Sequence, residues 1–208
     1  MSDEAPRRRY DSLRRTAQAL ETRAEIAQAA RRLFVAQGWA ATTVREVARE
    51  AGVSVPTVYS VYGNKNGLTL ALADAAGLSG DPARQLSELE APDATPEVQL
   101  AAMAAFDRRL FESAGDLIVP LREAGRTEPE LATLYRDARA RADETRVAVF
   151  SSWRAGTLRD GLDVRTAADI YAGLCSIDVY NTFTAERGWS PSRVERWWRQ
   201  ALARELLN

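Results

Sequence analysis

Apolar residues recur at helical spacing along most of this chain, and nowhere do they alternate for long with a period of two. Ile26, Ala29, Ala30, Leu33 and Phe34 fall at i, i+3, i+4, i+7 and i+8. Val194, Trp197, Trp198, Ala201 and Leu202 repeat the pattern near the other end. Such stripes bury one face of a helix against another helix, so the chain is expected to be all-α. Gly38, Gly52, Gly63, Gly156 and Gly188 punctuate the periodic segments, where helices stop. The stops place about nine helices, over roughly 21–37, 43–50, 54–61, 65–76, 97–112, 114–124, 128–155, 166–187 and 191–206. The longest loop is expected in the stretch 77–96, which holds Pro82, Pro92 and Pro96.

With 208 residues, 46% of them hydrophobic, there is enough chain for a sizeable core. Histidine is absent, which excludes Ser–His–Asp and Cys–His catalysis, imidazole metal ligands and a histidine pH switch. The single cysteine, Cys175, excludes an internal disulfide and a cysteine zinc site. No Gly-rich phosphate loop or metal motif is present. The chain is therefore read as a non-enzyme with no cofactor and no metal. No apolar run approaches the ~20 residues of a membrane helix, so no membrane partner is expected. The first residues, Met1 to Arg15, are polar and Arg-rich without an apolar centre, so a cytoplasmic location is expected.

Charge is spread unevenly. Residues 1–70 carry 11 basic and 7 acidic side chains, a net of +4, and the remainder carries −5. A basic amino-terminal third suggests one part that meets a polyanion and one that does not. Arg7, Arg8, Arg9, Arg14 and Arg15 lie in residues 1–20, expected to be a flexible arm or, alternatively, an extension of the first helix. The arm either enters a minor groove or is a soluble tail.

The segment 42–68 reads TTVREVAREAGVSVPTVYSVYGNKNGL. Thr42 caps a short helix whose buried side holds Val44, Val47, Ala48 and Ala51. Gly52 permits the sharp turn, because it takes a positive φ without steric cost. Ser54 caps the second helix, and Pro56 stands in its first turn, where a missing N–H costs nothing. Val58 and Tyr62 face inward, leaving Val55, Thr57, Tyr59, Ser60 and Val61 outside. Two short helices about a tight turn make a helix-turn-helix, whose second helix enters the major groove of DNA. Its outer face is rich in hydroxyls and methyls and poor in charge, which suits contacts to phosphate and thymine.

These residues resemble the DNA-binding domain of the tetracycline-repressor (TetR) family. The matching words are IAQAARRLFVAQGWAATTVREVAREAGVS and PTVYSVYGNKNGL. The resemblance implies a helix-turn-helix domain over 21–68 and a ligand-binding and dimerisation domain over 69–208. It implies that Thr43 touches the DNA backbone and that Arg45 reaches a base through its bidentate fork. Val55, Pro56 and Thr57 would line the major groove, and Tyr59 would donate to a phosphate. Asn64 would cap the fourth helix, with Lys65 on phosphate at its positive end. Asn66 departs from the family's usual Glu.

The implied partners are a double-stranded operator with an inverted repeat, a second copy of the chain and a small-molecule effector. Val194, Trp197, Trp198 and Ala201 make a stripe expected to pair two copies. Phe106, Leu110, Ile118, Phe150, Trp153, Tyr171, Cys175 and Asp178 mix apolar bulk with a few polar groups and are the expected ligand pocket. Asp178 belongs either there or at the dimer rim. The chain is thus expected to be a repressor released by its effector; an activator or a ligand-independent architectural DNA binder is the alternative.

Overall fold

The structure, a computed structural model, describes residues 5–76 and 94–208, with side chains described from Thr16 onward. Helices fill it: α1 (Ala5–Gln37), α2 (Val44–Glu50), α3 (Val55–Tyr62), α4 (Lys65–Ala75), α5 (Pro96–Ala124), α6 (Pro129–Ser151), α7 (Val164–Leu174), α8 (Ile177–Asn181) and α9 (Pro191–Leu206). A π-helical turn, Thr182–Glu186, continues α8. The only strand-like pairing among the described residues is a single bridge between Leu158 and Leu207. The chain is all-α, as its periodicity requires.

Three boundaries differ from expectation. Of the two expectations for residues 1–20, a flexible arm or an extended first helix, the described part takes the second: α1 runs from Ala5 rather than from about 21, since good helix formers dominate the segment and no glycine interrupts it before Gly38. The arginine side chains placed on that arm, and most of the expected loop at 77–96, lie outside the described residues. The two helices expected at 97–112 and 114–124 are one. Gly115, just past the expected break, is a packing glycine: a Cβ there would meet Ile177 Cδ1 at 3.1 Å. Conversely, the helix expected over 166–187 breaks at Cys175, because the Ser176 hydroxyl accepts from the Val179 N–H and starts α8.

Two buried clusters hold the molecule together. One joins Ile26, Phe34, Trp39, Val47, Val58, Leu68 and Leu72 of α1–α4 to Leu117, Leu121, Ala124 and Leu131 of α5 and α6. The other packs Leu100, Met103, Ile118, Phe150, Tyr171, Tyr180, Val194, Trp198 and Leu202. Helices α5 and α6 feed both cores. Helix α5 also carries the polar ties. Arg108 pairs with Glu195 of α9 at 2.7 Å, and Arg122 holds Asp178 of α8 through two bonds of 2.7 and 2.9 Å. Asp116 takes a two-pronged contact from Arg31 of α1 at 2.6 and 2.8 Å. Among the described residues, no helix is long and apolar enough to cross a membrane.

Candidate DNA-binding face and ligand cavity

Helices α2 and α3 are fixed by local chemistry. Thr43, not Thr42, is the α2 cap. Its hydroxyl accepts from the Glu46 N–H at 3.2 Å, and the Glu46 carboxylate accepts from the Thr43 N–H at 2.8 Å, closing a capping box. Those bonds hold the Glu46 carboxyl below its ordinary pKa. Thr42 is buried instead, with its hydroxyl donating to the Gly38 carbonyl at 2.9 Å. At the other end, Gly52 takes φ +67° while its N–H donates to Arg49 O and that of Val53 to Ala48 O. This is the Schellman stop that lets the chain reverse within two residues. The Ser54 hydroxyl caps α3 and meets that of Thr57 at 2.8 Å. Val58 anchors α3 in the core.

The outward face of this pair presents Thr43, Arg45, Pro56, Tyr59 and Ser60, all exposed. Tyr59 keeps 49% of its surface in solvent, although it is large and aromatic. Val55 and Val61 are only half outside; each packs against the amino-terminal core. Thr57 is half-buried. Tyr62 turns inward, as expected, and its hydroxyl donates to the Arg23 carbonyl at 2.8 Å. That bond replaces what a phenylalanine would leave empty and ties α3 to α1.

The α3–α4 junction is tight. Asn64 caps α4, its side-chain oxygen accepting from the Gly67 N–H at 2.8 Å. Lys65 places its ammonium 3.6 Å from the ring centre of Trp39, a cation–π contact. The Trp39 indole N–H donates to Thr69 Oγ1 at 2.9 Å, and that hydroxyl donates to Lys65 O. Burial pulls the Lys65 pKa down, against the attraction of Glu128 and Glu46. Asn66 reaches across to α6, its amide donating to Glu128 Oε2 at 2.9 Å. Glu128 stands at the α6 cap position yet makes no capping bond; its carboxylate serves the α4–α6 tie.

A cavity of about 300 Å³ lies between α5, α6 and α7. Ala102, Met103, Ala105, Phe106, Ala142 and Tyr171 make most of its wall, with Asp107, Arg109, Thr145 and Arg146 as the polar part. Asp107 and Arg146 are buried, 3.7 Å apart. The Tyr171 hydroxyl donates to Asp107 Oδ2 at 2.9 Å, and the Arg146 guanidinium lies 4.9 Å from the Tyr171 ring centre. Burial lifts the Asp107 carboxyl above its ordinary pKa, with Arg146 and Tyr171 pulling the other way.

A family model of bacterial regulatory proteins, tetR family, matches residues 26–72, from the first core residue of α1 into α4. The amino-terminal domain is of the TetR family. The HTH-type transcriptional regulator TtgR of Pseudomonas putida is 40% identical over 79 residues, 38% of this chain and 38% of that protein. Over its greater length the chain is similar to solved structures in fold. NalD of Pseudomonas aeruginosa, the secondary repressor of the MexAB-OprM multidrug efflux pump, superposes with a TM-score of 0.72 at 20% identity, covering 91% of this chain and 98% of that one. A regulator-like protein from Saccharomonospora viridis, solved with choline, gives 0.72 at 22% identity over 90% and 98%.

Around the TetR-type domain the remaining sequence-derived positions divide. Phe106 and Tyr171 line the cavity. Ile118, Phe150 and Cys175 are buried in the core beside it; Leu110 and Trp153 pack half-buried against that core. Asp178 is neither in the cavity nor buried: its side chain is 64% exposed, paired with Arg122, and faces a separate open groove. The stripe expected to pair two copies is corrected by burial. Val194, Trp198 and Ala201 are covered by α5, α7 and the rest of their own chain, so they hold nothing in reserve for a second one. Trp197 alone of the four is partly open, set 4.8 Å from Phe183, which stacks on Trp189 at 4.4 Å.

Asp107 and Arg146 escaped the sequence reading, yet a signal was there. Leu100, Met103, Ala104 and Asp107 stand at i, i+3, i+4 and i+7, so a carboxylate completes an apolar stripe. Arg146 does the same beside Val149 and Phe150 on α6.

Proposed function

We propose that this chain is a DNA-binding transcriptional regulator: a homodimer that reads an inverted-repeat operator and leaves it when a small molecule enters the α5–α7 cavity. The observation that carries the reading is the exposed hydroxyl, aromatic and guanidinium face of the TetR-type domain, held rigid by three side-chain caps. On that face Arg45 takes a base edge and Thr43, Tyr59 and Lys65 take phosphates, while Pro56, Thr57 and the open edge of Val55 line the groove. The relative that shares this domain is itself a transcriptional regulator, and a fold neighbour is a repressor. The chain then acts in the cytoplasm, where the operator is.

Release follows from the ties. The cavity wall belongs to α5 and α6; Arg31–Asp116 and Asn66–Glu128 connect those helices to α1 and α4. A ligand that favours one packing of α5 on α6 biases the placement of α3 through these contacts, by no more than its preference between the two packings. Two half-sites about 34–36 Å apart then fit one placement and not the other. The half-open patch of Phe183, Trp189 and Trp197 is the surface a second copy would cover.

Selection of bound duplexes from a random pool, with full-length protein at ~150 mM salt, tests the reading. An enriched inverted repeat is the expected result. Salt-sensitive binding without enrichment would replace it with an architectural role.

A further inference from the structure

The chemistry of the cavity wall says more than that something binds. The wall carries two guanidiniums, Arg109 and Arg146, against one carboxylate, Asp107. Asp107 is already engaged by the Tyr171 hydroxyl and lies inside the Arg146 field. Arg146 donates from Nη1 to Asp143 at 2.6 Å, but its Nη2 stops 3.7 Å short of Asp107, beyond hydrogen-bond reach. A buried guanidinium is thus left with an edge to donate from. Arg109, at the exposed rim, makes no ion pair among the described residues. The rest of the wall is methyl, thioether and aromatic.

We infer that the cavity takes a small amphipathic organic anion: a carboxylate on an apolar ring or short branched body. This rests on the reading of the α5–α7 region as an effector site. The carboxylate accepts from the open edge of Arg146, whose guanidinium already pairs with Asp143 and lies 3.7 Å from Asp107, and from Arg109, which makes no ion pair among the described residues. The apolar body lies against Met103, Phe106, Ala142 and Tyr171. A volume of about 300 Å³ admits on the order of ten to fifteen non-hydrogen atoms. An organic cation meets the opposite situation, since reaching Asp107 brings it up against two guanidiniums in a poorly solvated space.

Calorimetry on the full chain without DNA tests this with three probes of one shape: naphthoate, its uncharged amide, and naphthylmethylammonium. Naphthoate is expected to bind, the amide about tenfold more weakly, and the ammonium more weakly still. Arg109→Gln changes only the rim; it should weaken naphthoate about tenfold with no change in Tm. Asp107→Asn keeps an acceptor for Tyr171 and removes the opposing charge, so it should tighten naphthoate several-fold. Equal binding of the amide, preference for the ammonium, indifference to Arg109→Gln, or no binding of naphthoate would each overturn the assignment. Operator binding is then measured separately. Naphthoate that binds yet leaves operator affinity unchanged removes the effector reading and leaves the anion site standing. Release by the amide or the ammonium, with no binding of naphthoate, does the reverse.

Discussion

A Cβ on residue 67 would stand 2.1 Å from the carbonyl oxygen of Tyr62, a backbone atom with no freedom to retreat. The α3–α4 turn therefore depends on Gly67 for room rather than for an unusual φ. Gly67→Ala should cost about 1–3 kcal/mol in urea unfolding, since the whole junction must shift. Lys65 beside it serves two ends, the Trp39 ring and the phosphate proposed for it. Lys65→Ala should weaken all duplex sequences about equally and lower the salt slope by about one. An unchanged slope with a lowered Tm would assign the ammonium to Trp39 alone. Asp178 gives the pH test. The Arg122 hydrogen bonds hold its carboxyl below the ordinary range, so the folded state binds its proton less readily than the unfolded chain does. The stability this provides is present above the unfolded value near pH 4 and fades as pH falls through the lowered folded value. Asp178→Asn should lower Tm slightly at pH 7, and the gap from the parent should close in the acid limb below about pH 4. A constant gap would mean the pair contributes by shape alone.

At the level of helices, what could be read in advance was what is local. Ser54 was legible as a cap because a cap needs only its own next three residues, whereas the cap at Asn64 came from the family resemblance. The choice between Thr42 and Thr43 was not, since either threonine can cap; burial of Thr42 against Gly38 O decides it. The carboxy-terminal stripe was legible as a stripe, but its partner was not. Its helix packs on α5, roughly ninety residues away, and nothing local separates that from packing on a second copy. The cavity suffered likewise: Asp107 and Arg146 sit on helices whose apposition the periodicity does not encode. The Arg31–Asp116 tie is of this non-local kind. Arg31 also donates to the Ser113 carbonyl at 2.6 Å, so α1 grips α5 at two points. The pair is about two-fifths exposed, so Arg31→Ala should cost no more than about 1 kcal/mol of stability. Its larger expected effect is on communication: the fold-change in operator affinity caused by effector should shrink. An undiminished fold-change, measured by fluorescence anisotropy of a labelled duplex, would route the coupling through Asn66–Glu128 instead.

Across the whole molecule, a positive amino-terminal part and a negative remainder share one continuous helical frame, because α5 and α6 enter both cores. That sharing is the route by which the proposed effector cavity between α5 and α7 would act on α3. Linkage makes the proposed regulation reciprocal. If effector lowers operator affinity by some factor through a shift between two packings, operator must lower effector affinity by the same factor, typically about 5- to 150-fold. The measurement is one ligand titration done twice on the same dimer, with and without saturating duplex. Equal factors in the two directions would close the cycle on an intact dimer, as any coupling between two sites of one species must. A large effect on the operator with an effector affinity that ignores the duplex would break the cycle for a fixed dimer. It would mean that effector acts by separating the two copies. The Phe183–Trp189–Trp197 patch, rather than the α1–α5 contact, would then be where the cavity delivers its energy.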